Sequence, residues 1–224
     1  MKKLLLLLLL SQRFYAQKVY DFDYVLEYKN EIDSTKMISN PTYYINSKAN
    51  NYSILVFKRD SLNIGLYFGD MNGTKQPRVN SDVNESAFNN TKSISVTCEA
   101  LSYSGEYHYK YKVKEYYFEN LKDTIIDKVP CFHYVIKSNK PLKYQKRKDM
   151  FQTHFIADKN SSSFLPFFNH PIVYEEWKTD VEAIPNGIIK IKYNTNWENK
   201  ITDKWVLEKI TPIEKELIII EDCD

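Results

Sequence analysis

The chain is poor in glycine, with five in 224 residues: Gly65, Gly69, Gly73, Gly105 and Gly187. No Gly-x-Gly-x-x-Gly and no Gly-x-x-x-x-Gly-Lys-Ser/Thr occurs. Loops that wrap phosphates with bare backbone need those glycines, so both common modes of nucleotide binding are excluded. There is no Gly-x-Ser-x-Gly, and Ser161–Ser163 reads as a polar loop, not a nucleophile elbow. His-Glu-x-x-His is absent, the four histidines being His108, His133, His154 and His170. Three cysteines, Cys98, Cys131 and Cys223, are too few for a disulfide framework, and their odd number leaves at least one thiol over. Long helical periodicities and linkers rich in proline, glycine or serine are also missing.

The longest uninterrupted apolar run is Leu4–Leu10, preceded by Lys2-Lys3 and followed by the small residue Ala16. It is too short for a bilayer, which takes about 20 residues. A positive end, a short apolar segment and a small residue form the layout of a secretory signal peptide. The expectation is cleavage near Ala16, a periplasmic or secreted protein without a transmembrane segment, and one β-rich domain over 17–224. Met1–Ala16 holds three of the 31 Lys+Arg and none of the 29 Asp+Glu, which leaves 28 against 29, a net charge of −1. Nothing in that balance calls for nucleic acid as a partner.

Aromatic residues make up 15% of the chain, with 18 Tyr and 12 Phe, and their spacing is that of strands. Tyr20, Phe22, Tyr24, Leu26 and Tyr28 alternate with Asp21, Asp23 and Glu27. Tyr43–Asn46 and Tyr52–Lys58 flank a polar turn and read as a hairpin. Leu62, Ile64, Leu66 and Phe68 alternate again, up to the turn dipeptide Asn72-Gly73. The polar stretch Thr74–Lys92 reads as a long loop. Strands are expected at Ser93–Cys98, at Tyr107, Tyr109, Tyr111 and Val113, at Cys131–Lys137 and at Phe151–Asp158. They resume at Ile188–Tyr193, Lys204–Ile210 and Ile213–Ile220. Ile172–Thr179 reads as a short helix, with Val173 and Trp177 four residues apart. Together these predict a mainly β fold: an antiparallel curved sheet or half-barrel with a short helical or loop lid.

Candidate sites are few. Cys131 and His133 lie two apart on a strand and share a face, and His154 can approach from a neighbouring strand, a pattern open to a metal. The alternative is an ordinary strand whose opposite face carries Phe132, Tyr134 and Ile136. Two buried, reduced cysteines or a Cys98–Cys131 bridge are both open. Glu175 and Glu176 sit side by side, where glycosidases need carboxylates facing across a cleft, so a solvated face is the expectation. Lys137, Lys140, Lys143, Lys146, Arg147 and Lys148 crowd one hairpin-like region, as an anion-binding patch or as a lysine-guarded edge. Phe164, Leu165, Phe167 and Phe168, broken by Pro166, either cap a core or line the mouth of an apolar cavity. With Tyr107, Tyr109 and Tyr111 they form the candidate ligand-binding set. No catalytic residue, cofactor or resident metal is expected.

The second half carries Asp123-Thr124-Ile125-Ile126, then Val129-Pro130-Cys131-Phe132-His133-Tyr134, later Ile184-Pro185-Asn186-Gly187-Ile188-Ile189, and Trp205–Ile210. This order resembles the GLPGLI family of secreted Gram-negative proteins, with Ala183 at the motif's first glycine and Asn186 inserted before Gly187. More loosely the chain resembles the LolA-like half-barrel lipoprotein carriers of the periplasm. The second resemblance implies an open sheet around a helical lid, holding acyl chains in its concave face. Three classes of function follow: an exported envelope binding protein for an apolar or lipid-like ligand, an envelope module that docks a protein or glycan, and a hydrolase built on Cys131, His133 or the Glu175 region.

Overall fold

The computed structural model describes residues 17–32, 40–72, 76–97, 101–104, 112–179 and 184–220. The proposed leader, Cys98, Cys223, Tyr107, Tyr109 and Tyr111 lie outside the described residues. Thirteen strands join in one open sheet: β1 (Lys18–Asn30), β2 (Thr42–Asn46), β3 (Ala49–Lys58), β4 (Asn63–Asp70), β5 (Gln76–Asn84), β6 (Ser93–Val96), β7 (Leu101–Ser104), β8 (Tyr116–Asn120), β9 (Thr124–Ile126), β10 (Val129–Ser138), β11 (Gln152–Asp158), β12 (Ile189–Thr195) and β13 (Ile201–Ile219). Their order is β7-β5-β4-β3-β2-β1-β13-β12-β11-β10-β8, with β9 beside β10 and β6 beside β13. Every pair is antiparallel except β6 with β13. Among the described residues there are three short α-helices, α1 (Glu85–Asn90), α2 (Leu142–Arg147) and α3 (Pro171–Thr179), and 3-10 turns at Val113–Glu115 and Lys159–Ser161.

The sheet is strongly curved. β2 is only five residues long, and beyond its turn β1 meets β3 and β4 directly. Tyr20 of β1 packs edge-on against Phe68 of β4, ring centroids 4.7 Å apart, although two strands separate them in the sheet. The aromatic stripe of β1 is therefore shared between two cores. Tyr20 and Phe22 join Ile54, Ile64, Leu66, Phe68, Phe88 and Leu217, whereas Leu26 and Tyr28 join Ile45. The division falls where the β1–β13 register shifts, between Phe22 and Tyr24. A third core lies across β10–β12, where Tyr134, Ile136, Phe155 and Ala157 pack against Ile172, Val173 and Trp177 of α3. Pro171 opens α3 at the position where a missing N–H costs nothing, and the Ile172 N–H donates to His170 Nδ1 at 3.3 Å.

Several expectations need correction. Thr74–Lys92 is not a long loop: it contains β5 and α1. β5 pairs through its main chain with β4 and β7, so few of its residues need be apolar. α1 is capped by Asn84, whose side chain accepts from Ala87 N at 3.0 Å, and it buries Phe88. Lys204–Ile210 and Ile213–Ile220 are parts of one strand, β13, which absorbs Pro212 at a bulge. Residues 113–115 form a 3-10 turn and not the end of a strand. The lysine-rich segment holds α2 between β10 and β11. Within it Lys137 pairs with Glu119 at 2.9 Å and Lys140 with Glu115 at 3.0 Å. Glu175 is not on a solvated face: it is buried on α3 and pairs with Lys178 at 2.8 Å.

Candidate functional site beneath the lid

The segment from Phe164 to Thr179 crosses one face of the sheet and is tied to both halves. Leu165 N donates to Ser47 O (2.9 Å), and Asn50 Nδ2 donates to Pro166 O (3.0 Å). Tyr174 Oη donates to Asn72 Oδ1 (2.8 Å). These bonds hold the lid to the β2–β4 side. Phe168, 1% exposed, holds it to the other side by packing against Phe155 and Phe118, with centroids 5.5 and 6.1 Å away.

Between these anchors lies an apolar cavity of about 160 Å³. Tyr28, Tyr43, Leu55, Phe167, Ile189 and Trp205 form most of its wall. Phe167 and Tyr43 meet at 4.9 Å between centroids. A larger, more polar cavity of about 390 Å³ adjoins it, lined in part by Lys148, Asp149, Phe151, Thr153, His170 and Asn194. A third, of about 150 Å³, is lined in part by Phe168 and Met71. Asn169 borders all three, and Lys192 borders the first two.

A polar chain runs through this junction. Lys192 Nζ donates to Asn169 Oδ1 at 2.5 Å, and Asn169 Nδ2 donates to Tyr43 Oη at 3.0 Å. The Lys192 ammonium also lies 5.4 Å from the Trp205 ring centroid, within cation–π range. Desolvation pulls Lys192 down to about 8, against the pull of Asp203. Burial pushes Tyr43 up to about 12, partly offset by the Asn169 hydrogen bond. Desolvation, then the Lys192 charge, pushes His170 down. Burial likewise raises Tyr28, whose hydroxyl donates to Ile189 O at 2.7 Å.

A bulge aims Lys192 at the cavity. Ile156 pairs with Ile191 but Ala157 pairs with Ile189, so Lys190 is an extra residue on β12. Ile189 packs in the core beneath α3 while Ile191 packs in a separate cluster with Cys131 and Ile156. Past the bulge, Lys192 is the cross-strand partner of Phe155 and Trp205. Strict alternation from Ile189 would have turned Lys192 away, which is why sequence reasoning missed it.

Of the aromatic residues expected to bind a ligand, Phe167 and Phe168 line cavities. Phe164 packs on Tyr24 at 4.8 Å, and Leu165 packs against the α3 core. His133 and His154 do come together, with Nε2 and Nδ1 3.2 Å apart, and Tyr193 Oη lies 3.2 Å from His133 Nε2. Cys131, fully buried with a free thiol, packs apart from them with Ile156 and Ile191. Among the described residues no three His, Cys, Asp or Glu side chains gather as a metal site.

No family model matches the chain, and no curated protein matches it in sequence. Among solved structures it is similar to the Pseudomonas aeruginosa MucA/MucB complex, at 6% identity and TM-score 0.34, over 87% of this chain and 52% of that one. The chain thus spans about half the length of that neighbour. A DUF1329 family protein from Desulfovibrio piger matches at 6% identity and TM-score 0.30, over 90% of this chain and 80% of that one. A domain described as an outer membrane lipoprotein-sorting protein, from Vibrio parahaemolyticus, matches at 12% identity and TM-score 0.28, over 87% and 85%. Likenesses this slight carry no ligand or partner across to this chain.

Proposed function

We propose that the chain is an exported envelope protein that binds an apolar or lipid-like ligand under its lid, and that it is not an enzyme. The carrying observation is the aromatic-walled cavity lined by Phe167. The leader-like Met1–Ala16 supports export, and the apolar wall of the cavity supports the class of ligand. An apolar cavity of about 150 Å³ takes one benzene-sized group. The cavity therefore admits a ring or a short chain, and a long acyl chain requires the lid to shift. The binding reading fits better than the hydrolase reading because Cys131 packs apart from the two facing histidines and Glu175 is paired with Lys178 on α3.

The test is to purify the protein from its native envelope, extract it with organic solvent, and identify bound species by mass spectrometry. A stoichiometric apolar species, lost in Phe167→Asp while the circular dichroism spectrum is kept, is the expected result. Ligand-free protein from the native source would remove the reading and favour a docking module, to be pursued by cross-linking in the envelope.

A further inference from the structure

We infer that the ligand is an anionic amphiphile, and that Lys192 pairs with its acidic head while its apolar part lies under Phe167. The inference rests on the binding reading above and specifies the chemistry of the same site.

An ammonium drawn out of water is costly unless it is paired. Lys192 is half-buried, and no carboxylate among the described residues stands within ion-pair distance of it. Its polar partner is the neutral amide of Asn169, and its apolar partner is the Trp205 ring. Asp203 is the acid that acts on it, from a greater distance. The fold thus carries a cation at the seam of two cavities without cancelling its charge. It gets there through a bulge, a local departure that costs ladder hydrogen bonds and re-aims a side chain.

The two cavities that share Lys192 differ in character. On one side the wall is Tyr28, Tyr43, Leu55, Phe167 and Trp205. On the other, Lys148, Thr153, His170 and Asn194 offer polar groups, with Asp149 the one acid. A molecule with a ring or short chain at one end and a carboxylate, sulfonate or phosphate at the other matches this order. Its acid would displace no existing ion pair. Asn169, already bonded to both Lys192 and Tyr43, keeps the ammonium at the seam.

The experiment titrates the full mature chain at pH 7 with 4-phenylbutyrate and with 4-phenylbutanol, which share the ring and chain and differ in the head. Binding is followed by the NMR signal of the Trp205 indole. A charge-assisted contact worth about 1.4 kcal/mol is tenfold in affinity, so the acid is expected to bind at least about tenfold tighter than the alcohol. Lys192→Met should abolish that preference, so that the acid binds no tighter than the alcohol. Lys190→Met removes the same charge one bulge away and should keep the preference. Equal binding of acid and alcohol by the wild type overturns the inference while leaving the cavity reading intact. Equal losses in the two lysine variants overturn it too, by assigning the effect to net charge. If neither compound moves the Trp205 signal, the cavity reading fails and takes the inference with it.

Discussion

Two single residues carry unusual structural weight. Asp70, 2% exposed, accepts from Tyr20 Oη at 2.9 Å, Asn51 Nδ2 at 2.9 Å, Asn72 N at 2.8 Å and Lys18 Nζ at 3.1 Å. It thereby ties β1 to β4 across the curl of the sheet. Asp70→Ala removes one acceptor shared by four donors, and a lost buried hydrogen bond costs about 1–3 kcal/mol. Urea denaturation should show a loss of about 2–4 kcal/mol, with Asp70→Asn milder because an acceptor remains. Lys18→Ala, at an exposed ammonium, should change stability by less than about 1 kcal/mol. Gly187 is the second such residue. Its φ is +152°, and a Cβ there would stand 2.6 Å from the Asp158 carbonyl oxygen. That carbonyl belongs to a backbone held in place, since Asp158 N donates to Ile188 O at 2.9 Å. Gly187→Ala should therefore cost about 1–3 kcal/mol, and an unchanged midpoint would show that the loop relaxes freely. The Pro185-Asn186-Gly187 stretch drew notice in the sequence through a family resemblance, whereas the physical demand on Gly187 comes from this close approach.

Among the elements, the β10–β12 ladder sets a pH dependence. His154 is pushed down to about 4 by desolvation first, then by His133 and Lys137; His133 is lowered by desolvation. In the unfolded chain a histidine titrates near 6.5. Between those values the unfolded state binds more protons, so stability falls as pH drops from about 6.5 towards 4. Thermal melts from pH 7 to pH 4.5 should show that decline. His154→Phe keeps a ring stacked on Tyr193, where the native pair lies 4.4 Å apart at 6°, and should flatten the slope. A slope unchanged in the variant would place the acid response elsewhere. These same strands, with β1 and β4, were legible in the sequence because apolar and polar residues alternate along them and one face is buried. β5 was not, because its pairing is made by main chain and its apolar residues are sparse. The unity of β13 was hidden by Pro212, which reads as a break until a bulge accommodates it. Lys192 was hidden by a different bulge, and no residue-by-residue pattern marks a bulge whose cause lies in the partner strand.

On the scale of the whole molecule, β1 and β13 form a spine with one core on the β2–β6 side and another on the β10–β12 side. The lid is the strap between the two, and the candidate cavity exists because the strap holds both sides at a fixed separation. Phe164–Phe168 announced that strap in the sequence as large apolar residues in a loop. Its partners, Ser47, Asn50 and Asn72, were illegible there because each lies about a hundred residues away. If the lid governs entry, it must open without unfolding the spine, since local opening draws on the least protected hydrogen bonds. Tyr174→Phe removes the bond to Asn72, and Asn50→Ala removes the bond to Pro166. The double variant should speed amide hydrogen exchange over 164–179 while leaving β1 and β13 at wild-type rates. Saturating 4-phenylbutyrate should slow exchange in that same segment of the wild type, because a ligand that binds only the closed form stabilises it by mass action. If lid and spine exchange together in both proteins, the lid has no motion of its own. Ligand entry would then require global opening, and the 160 Å³ cavity would be a packing defect and not a binding site.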